Sequence, residues 1–583
     1  MILDDPGGVG MAQPKRNWRA GAIGFLLLLL LALPAPRQAG SNVMARFAAA
    51  VQLVEKGDLS LGPYGRLTND AAVHRGRAYN DKAPGVTLAV APIYAVVRLA
   101  TRDFNVALRW CRVFSLLPLT LFTVWLLWRR LPAWGVDGAV RDAAAVGYAV
   151  GATTWPYFTM LYSHGFAADF ILLGVLFLTD YRREPGRARP LLLAGLLFGA
   201  AIAFEYPTAA LGLIAGVYLL SFERRPARLA AFVALGVVLP ALIIGGYNYL
   251  CFDSPLNFGY TLEKDLAFRQ HHTNGLMGFG APRPATFWLL AFSPEKGLFF
   301  WSPALLFGAV GAAAMVRRLP REGWLLAGMA AVYIVLFAGY FEAGGAACLG
   351  PRHLTPIIGP LFLAAAWCTA QKADWRRGGF LGAAVLSSLI VWAGVFSDPQ
   401  MPERLRNPLW DFAMPMLAAG VGPGNLFGLS DSAAAGLGLL LLAALWTIVL
   451  LGDRPRGPES PRLGKAAALT ILVGLLFYLG LAPHLPRTEP GMLHQIRGNH
   501  FLFREDFGRA ANEYEAAIAT RADPWILYYQ AKAYLRLGDR DKAAASWSRM
   551  MQLDPSFRPP GAEAPPALPA PAENGPGAGN GPP

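Results

Sequence analysis

The sequence predicts an all-α, polytopic membrane protein of about 13 transmembrane helices, followed by a small extracytoplasmic region of helical repeats. Three observations predict it. Hydrophobic residues make up 54% of the chain and charged residues only 15%, unlike a soluble domain. Apolar runs of roughly 15 to 20 residues recur along the chain, about the length that crosses a hydrocarbon core of ~30 Å. Basic residues gather in short clusters at the ends of those runs, as the positive-inside bias requires.

The formal net charge of +14 therefore belongs to membrane topology. No basic stripe with interleaved aromatics is present, so nucleic acid is not an expected partner. The four cysteines, Cys111, Cys251, Cys348 and Cys368, match no metal-ligand spacing. Cys251 and Cys348 fall on the same expected side, and the spacing leaves their pairing open.

Taken in order, residues 1–19 form a cytoplasmic N-terminal segment carrying Lys15, Arg16 and Arg19. Ala20 to Pro34 reads as an uncleaved first span, since Leu33 with Ala35, or Arg37 with Ala39, makes a poor cleavage site. The transmembrane domain extends over 20–483, with a first extracytoplasmic loop at 38–112. Within that loop Val43, Phe47, Val51 and Val54 recur at helical spacing and predict a helix lying along the interface. Gly57, Gly62-Pro63 and Gly65 then predict turns.

Gly85 to Leu99 is apolar, but counting it as a span would place Arg129 and Arg130 outside, so it reads as interfacial or re-entrant. Spans follow at about 113–128, 143–159, 165–181, 190–204, 208–222, 229–249, 298–316, 323–341, 354–371, 378–396, 432–451 and 466–481. The links assigned to the cytoplasm hold Arg182, Arg183, Arg224, Arg225, Arg317, Arg318, Lys372, Arg376, Arg377, Arg454 and Arg456. The longer outer loops between 156 and 433 hold only Lys264, Arg269, Arg283, Lys296, Arg352, Arg404 and Arg406, which places the C-terminus outside.

Residues 484–558 turn amphipathic. Gly498, Phe501, Ala510, Tyr514 and Ala517, then Ala531, Tyr534, Ala543, Trp547 and Pro555, follow a 34-residue tetratricopeptide pattern. Two repeats are too few to bury a core alone, so docking on the membrane domain or on a protein partner is expected. The tail 559–583 is rich in Pro, Gly and Ala and predicts disorder.

The polar residues on the outer side are the candidates for chemistry. They are Asn42, Arg46, Asp70, His74, Asp81 and Lys82 in the first loop, then His164, Glu205, Arg352 and His353. Ionisable groups at membrane depth are functional candidates by default. Bland alternatives stand beside each: His164 as a helix-start hydrogen bonder, Glu205 as part of a Tyr-Pro turn, Lys82 and Arg352 as interfacial anchors. Lone cations at helix starts also suit an anionic ligand carried in the membrane, such as a lipid phosphate.

The order of Arg46, LVEKGD (53–58), Asn69 and Asp70, Gly76 and YNDKAPG (79–85) resembles the first extracytoplasmic loop of the GT-C glycosyltransferases, in the ArnT-like and protein O-mannosyltransferase-like branch. SPEKGLFFWSP (293–303) and GPRHLTP (350–356) resemble a later span start and loop of bacterial members, so the likeness covers roughly residues 20 to 400. The resemblance implies transfer of a sugar from a polyprenyl-phosphate donor to an extracytoplasmic glycan, lipid or protein. It implies Lys82 and Arg352 at the donor phosphate, and Asp70, Asp81 and His164 as catalytic residues. Asn42, Arg46, His74, Glu205 and His353 would line the substrate cavity.

The family's acidic residues before the Gly-Asp pair and at the start of the fourth span are replaced here by Asn42 and His164. No cofactor is therefore certain; a divalent metal stays open, without support from the motifs. The competing expectation is a non-catalytic scaffold that recruits partners through its repeats. A transporter is disfavoured because the sequence displays no inverted repeat and no paired broken helices.

Overall fold

Alternation between long apolar stretches and short polar links gives an almost wholly helical chain in the computed structural model, which describes residues 18–37, 39–371, 375–452 and 460–557. Most of the expected N-terminal segment, Lys372, Arg454, Arg456 and the expected C-terminal tail lie outside the described residues. One compact unit comprises Met1–Glu403 and Pro408–Leu485, and a second comprises Arg404–Asn407 and Pro486–Pro583.

Among the described residues of the first unit, eight helices are long and apolar enough to cross a membrane: Phe104–Trp134, Ser163–Arg183, Pro226–Phe252, Pro320–Ala338, Arg352–Ala370, Trp375–Ser397, Asp431–Leu451 and Gly464–His484. Shorter apolar helices are Trp18–Ala32, Gly85–Val97, Ala188–Phe204 and Tyr206–Leu220. Leu213, Leu242 and Leu440 stay more than 60% exposed on these helices, a surface suited to lipid rather than to water. The chain is a polytopic helical membrane protein. Gly85–Val97, at 13 residues, falls short of the ~20 that a perpendicular crossing takes.

Two expected spans are interrupted. The run at 143–159 ends as a helix at Val150 and resumes only over Trp155–Thr159. The ladder closes with the Gly151 amide on the Gly147 carbonyl at 2.8 Å, Thr154 Oγ1 donates to the Tyr148 carbonyl, and Pro156 sits in the first turn of the next helix, where its missing N–H is tolerated. The run at 298–316 breaks at Ser302-Pro303, between Leu298–Trp301 and Leu305–Arg318. The two breaks meet: the Thr153 amide donates to Ser302 Oγ at 3.2 Å, and the Ala304 amide donates to Ser387 Oγ at 3.0 Å. The expectation of no paired broken helices is thus corrected; Pro303 falls within the second break.

Close helix approach explains the small residues of the bundle. A side chain at Gly308 or Gly311 would meet the Leu361 or Ala364 carbonyl at 2.6 or 2.3 Å, so Leu305–Arg318 packs backbone to backbone on Thr355–Ala370. Buried Arg112 donates to the carbonyls of Leu31 (2.7 Å), Ala32 (3.1 Å) and Phe158 (3.3 Å), tying Phe104–Arg130 to the ends of two other helices. Cys251 and Cys348 are free thiols.

The first loop folds as its turns predict. Ser41–Lys56 is a helix with Val43, Phe47 and Val51 buried, stopped by Gly57 in the left-handed region (φ 66°). A hairpin, Ala72–His74 paired antiparallel with Arg77–Tyr79, follows.

The second unit contains the helices Pro490–Phe503, Phe507–Thr520, Pro524–Leu537 and Arg540–Leu553. Asp506, Asp523 and Asp539 cap the last three by accepting backbone amides. Gly498 lets the Tyr514 ring approach where a Cβ would sit 2.7 Å from it, and Ala510, Ala517, Ala531 and Ala543 are buried.

Candidate functional site

The polar residues converge on a cavity of about 330 Å³ in the first unit. Asn42, Arg46, Asp70, Lys82, His164, Glu205, Arg352 and His353 all line it, although they come from five separate stretches of sequence.

Glu205 organises one side. Pro207 ends the helix Ala188–Phe204, and Glu205 caps it in an extended conformation that turns its carboxylate inward. Oε1 lies 3.6 Å from Arg46 Nη2 and 3.3 Å from His164 Nδ1, and accepts the Ser163 hydroxyl. Arg46 sits one helical turn after Asn42 and donates to the Asn42 side-chain oxygen. His164 stacks on Tyr162 at 5.9 Å and meets His353 edge-on at 5.5 Å, while His353 stacks on Phe337 at 4.7 Å.

Lys82 organises the other side. Asn80 turns the chain there, with its side chain bonded to both the Lys82 carbonyl (3.1 Å) and the Lys82 amide (3.3 Å). The ammonium lies 2.5 Å from Asp81, 3.4 Å from Glu263 and 3.5 Å from Asp70, above the Tyr260 ring. A bridge between Ala72 and Glu263 brings Glu263 in from a distant loop, and the Lys264 amide donates to the Ala71 carbonyl at 2.7 Å. Gly259 packs on Asp81 so closely that a Cβ would stand 2.6 Å from the Asp81 Cα. Glu263 is bonded to His272 Nδ1 at 2.7 Å, and His272 Nε2 faces the Tyr340 hydroxyl at 3.1 Å.

Burial pushes the Asp81 carboxyl up to about 7; the Lys82 ammonium opposes this, and the Asp70 and Glu263 charges reinforce it. Burial alone would lower the Lys82 ammonium, but the surrounding carboxylates hold it well above the usual lysine range. Burial likewise raises Glu263, yet the His272 hydrogen bond and the Lys82 charge bring it below its ordinary value.

Arg352 stands apart. It follows the turn at Gly350 and lines the cavity, and its Nε is buried with no hydrogen-bond partner. Among the described residues, its guanidinium makes no ion pair within 4.0 Å and no side-chain hydrogen bond. Lys82 is paired three times over, whereas Arg352 has no ion pair and feels the Asp70 charge only at longer range.

Two expected site residues fall elsewhere. His74 does not line the cavity: its Nε2 pairs with Asp253 at 2.5 Å, and the pair fastens the hairpin to the end of the helix Leu239–Phe252. Asp81 is fully buried behind Lys82 and also does not line the cavity. Conversely, Glu263, His272, Tyr260 and Tyr340 line it and were missed as individual candidates. The sequence holds one signal for them, an acidic and aromatic cluster in a long loop of an otherwise apolar chain. Among the described residues, no group of three or more His, Cys, Asp or Glu is arranged to hold a metal ion.

Beside the cavity is an apolar groove of about 720 Å³ between the helices Ala188–Phe204, Ala209–Leu220 and Pro226–Phe252. Gly212, Gly216, Gly236 and Gly245 widen it. Tyr206 and Phe258 line it, and the Tyr206 ring packs at 6.0 Å against Tyr260, which belongs to the cavity. Groove and cavity share that aromatic wall.

Compared with known proteins, the chain matches no family model and no curated protein.

Proposed function

We propose that the protein is a membrane glycosyltransferase that moves a sugar from a polyprenyl-phosphate-linked donor to an acceptor hydroxyl on the extracytoplasmic side. The observation that carries this reading is the unpaired Arg352 guanidinium in a polar cavity that shares a wall with an apolar groove. An amphiphile with a phosphate at one end and an isoprenoid chain at the other suits that pair of spaces. The cavity also falls within the roughly 300–1,000 Å³ of small-ligand sites.

Arg352 supplies the main phosphate contact, because a half-buried guanidinium without an ion pair gains most from an anion. Lys82 can add a second contact only by loosening its 3.5 Å pair with Asp70. The acceptor oxygen bonds to the anomeric carbon, the bond from that carbon to the phosphate oxygen breaks, and the polyprenyl phosphate leaves with the electron pair. Asp70 takes the acceptor's proton, since it lines the cavity, is partly exposed and has only that long contact with a cation. His164, held by Glu205, is the alternative base.

The thirteen-span topology, the cytoplasmic N-terminus and the extracytoplasmic placement of a tetratricopeptide-like region belong to the same proposal. So does recruitment of a protein partner by that region. One observation favours the non-catalytic scaffold: Asn42 contributes a neutral amide bonded to Arg46 where the family carries a carboxylate. Purified protein given a radiolabelled polyprenyl-phosphate sugar and envelope acceptors should release polyprenyl phosphate. Binding of the lipid without turnover would favour the scaffold, and no binding at all would reject both the donor and the cavity assignment.

A further inference from the structure

A second polar cavity, of about 280 Å³, shares no lining residue with the first. Lys56, the last residue of Ser41–Lys56, enters it together with Arg98, which caps Gly85–Val97, and Arg102 from the following link. None of the three cations forms an ion pair among the described residues. The one carboxylate present, Glu55, accepts the Tyr94 hydroxyl at 2.7 Å through Oε1, which leaves its second oxygen for another donor.

The wall is rigid and aromatic: the Tyr64 and Phe104 rings pack at 4.8 Å, and Phe104 packs on Phe47 at 4.9 Å. Beside Arg98, Val96 is 67% and Leu99 85% exposed, two large apolar side chains suited to the edge of a bilayer.

From this geometry we infer a second ligand site, for a phosphate group carrying a hydroxylated substituent. The source is an anionic phospholipid headgroup of the glycerol type or a soluble phosphorylated polyol. Arg98, Arg102 and Lys56 neutralise the phosphate, Glu55 accepts a hydroxyl of the substituent, and the aromatic wall packs on its carbon face. Formal charges sum to +2, from three cations and one carboxylate, so the cavity retains a net attraction for an anion. The simpler account is that Lys56 and Arg98 only complement helix C-termini. That account explains neither Arg102 nor a carboxylate held inside the cluster by a phenol.

The test uses the full-length protein extracted from nanodiscs of phosphatidylglycerol or phosphatidylcholine, with retained lipid counted by native mass spectrometry, and calorimetry with glycerol 3-phosphate. Preferential retention of phosphatidylglycerol supports a lipid source, and calorimetric binding of glycerol 3-phosphate supports a soluble one. In either case Arg98→Gln/Arg102→Gln should reduce the binding about tenfold or more, as expected for loss of charged hydrogen bonds. Arg102→Gln alone, on an exposed side chain, repeats the test without disturbing helix packing. Neither ligand binding, or binding unchanged in these variants, overturns the site. Arg352→Gln should leave this binding unaltered, so the result is independent of the donor-site proposal.

Discussion

Lys82 and Arg352 were expected to act alike, and their surroundings predict that they act differently. In Lys82→Gln the ammonium disappears from between Asp81, Glu263 and Asp70, at 2.5, 3.4 and 3.5 Å. Breaking a buried pair by removing one partner costs about 3–5 kcal/mol, because the other charge stays buried and uncompensated. The variant should therefore melt at markedly lower temperature, and its loss of donor binding will be mixed with loss of fold. Arg352→Gln removes a guanidinium that no described carboxylate contacts, Asp70 acting on it only at longer range. Stability should change little, whereas donor affinity should drop by the worth of a charged hydrogen bond, about 1.5–3 kcal/mol, or roughly 10- to 150-fold. The assay is thermal melting in detergent alongside binding of a polyprenyl phosphate by native mass spectrometry. Lys82→Gln/Asp81→Asn supplies the control, since removing both partners should recover much of the stability. Arg352→Gln binding the lipid within twofold of the parent, or melting as low as Lys82→Gln, would refute the distinction.

Three further outcomes are expected. The Asp81 carboxyl stands at about 7 in the fold, above its ordinary 3.8; the folded protein thus holds an extra proton between those values, so stability falls as pH rises across that window. Melting temperature followed from pH 5 to pH 8 should decline for the parent and flatten in Asp81→Asn; parallel curves would show that Asp81 is not the group. Gly216 faces the apolar groove with nothing within 4 Å of an added Cβ, so Gly216→Phe should fill the groove and cut polyprenyl-phosphate retention about tenfold without lowering the melting temperature. Unchanged retention would place the chain elsewhere. Reporter fusions at Gly186 and Pro555 should read cytoplasmic and extracytoplasmic; the same compartment for both would sink the thirteen-span topology.

What was legible in the sequence follows the range over which each signal acts. The helix Ser41–Lys56 could be seen because Val43, Phe47 and Val51 repeat at helical spacing and Gly57 can take a positive φ, both local facts. The gathering of Lys82, His164, Glu205 and Arg352 around one cavity was legible from hydropathy, because polar ends of alternating apolar runs must share a face. Glu263 and His272 were not, since what makes them site residues is a bridge from Ala72 to Glu263, and no periodicity marks that pairing. His74 was misplaced for a related reason. In a three-residue strand, polarity does not say which face a side chain takes, and here it faces Asp253. The broken helix at Ser302 could have been anticipated, because Pro303 interrupts a run that hydropathy alone scores as continuous, whereas Pro156 lies within the helix that follows the break at Thr153.

The uneven division of charge among the lining residues bears on mechanism. Lys82 with Asp70, Asp81 and Glu263 sums formally to −2, or −1 when Asp81 holds its proton, whereas Arg352 contributes +1 with no directly paired carboxylate among the described residues. Under the proposed reaction, negative charge grows on the departing phosphate while a proton leaves the acceptor hydroxyl. The phosphate is stabilised beside Arg352 and repelled by the Lys82 cluster; the acceptor's proton has the opposite preference. A donor lying with its chain in the groove and its phosphate on Arg352 therefore leaves Asp70 to the acceptor, and electrostatics alone orients the transfer. Protonating Asp81 weakens the repulsion, so phosphate affinity should decrease as pH rises through about 7, although a phosphodiester donor does not itself titrate there. Asp81→Asn should abolish that decrease. If affinity instead rose with pH, the Lys82 cluster would be attracting a cation, and the acceptor rather than the donor would belong beside it.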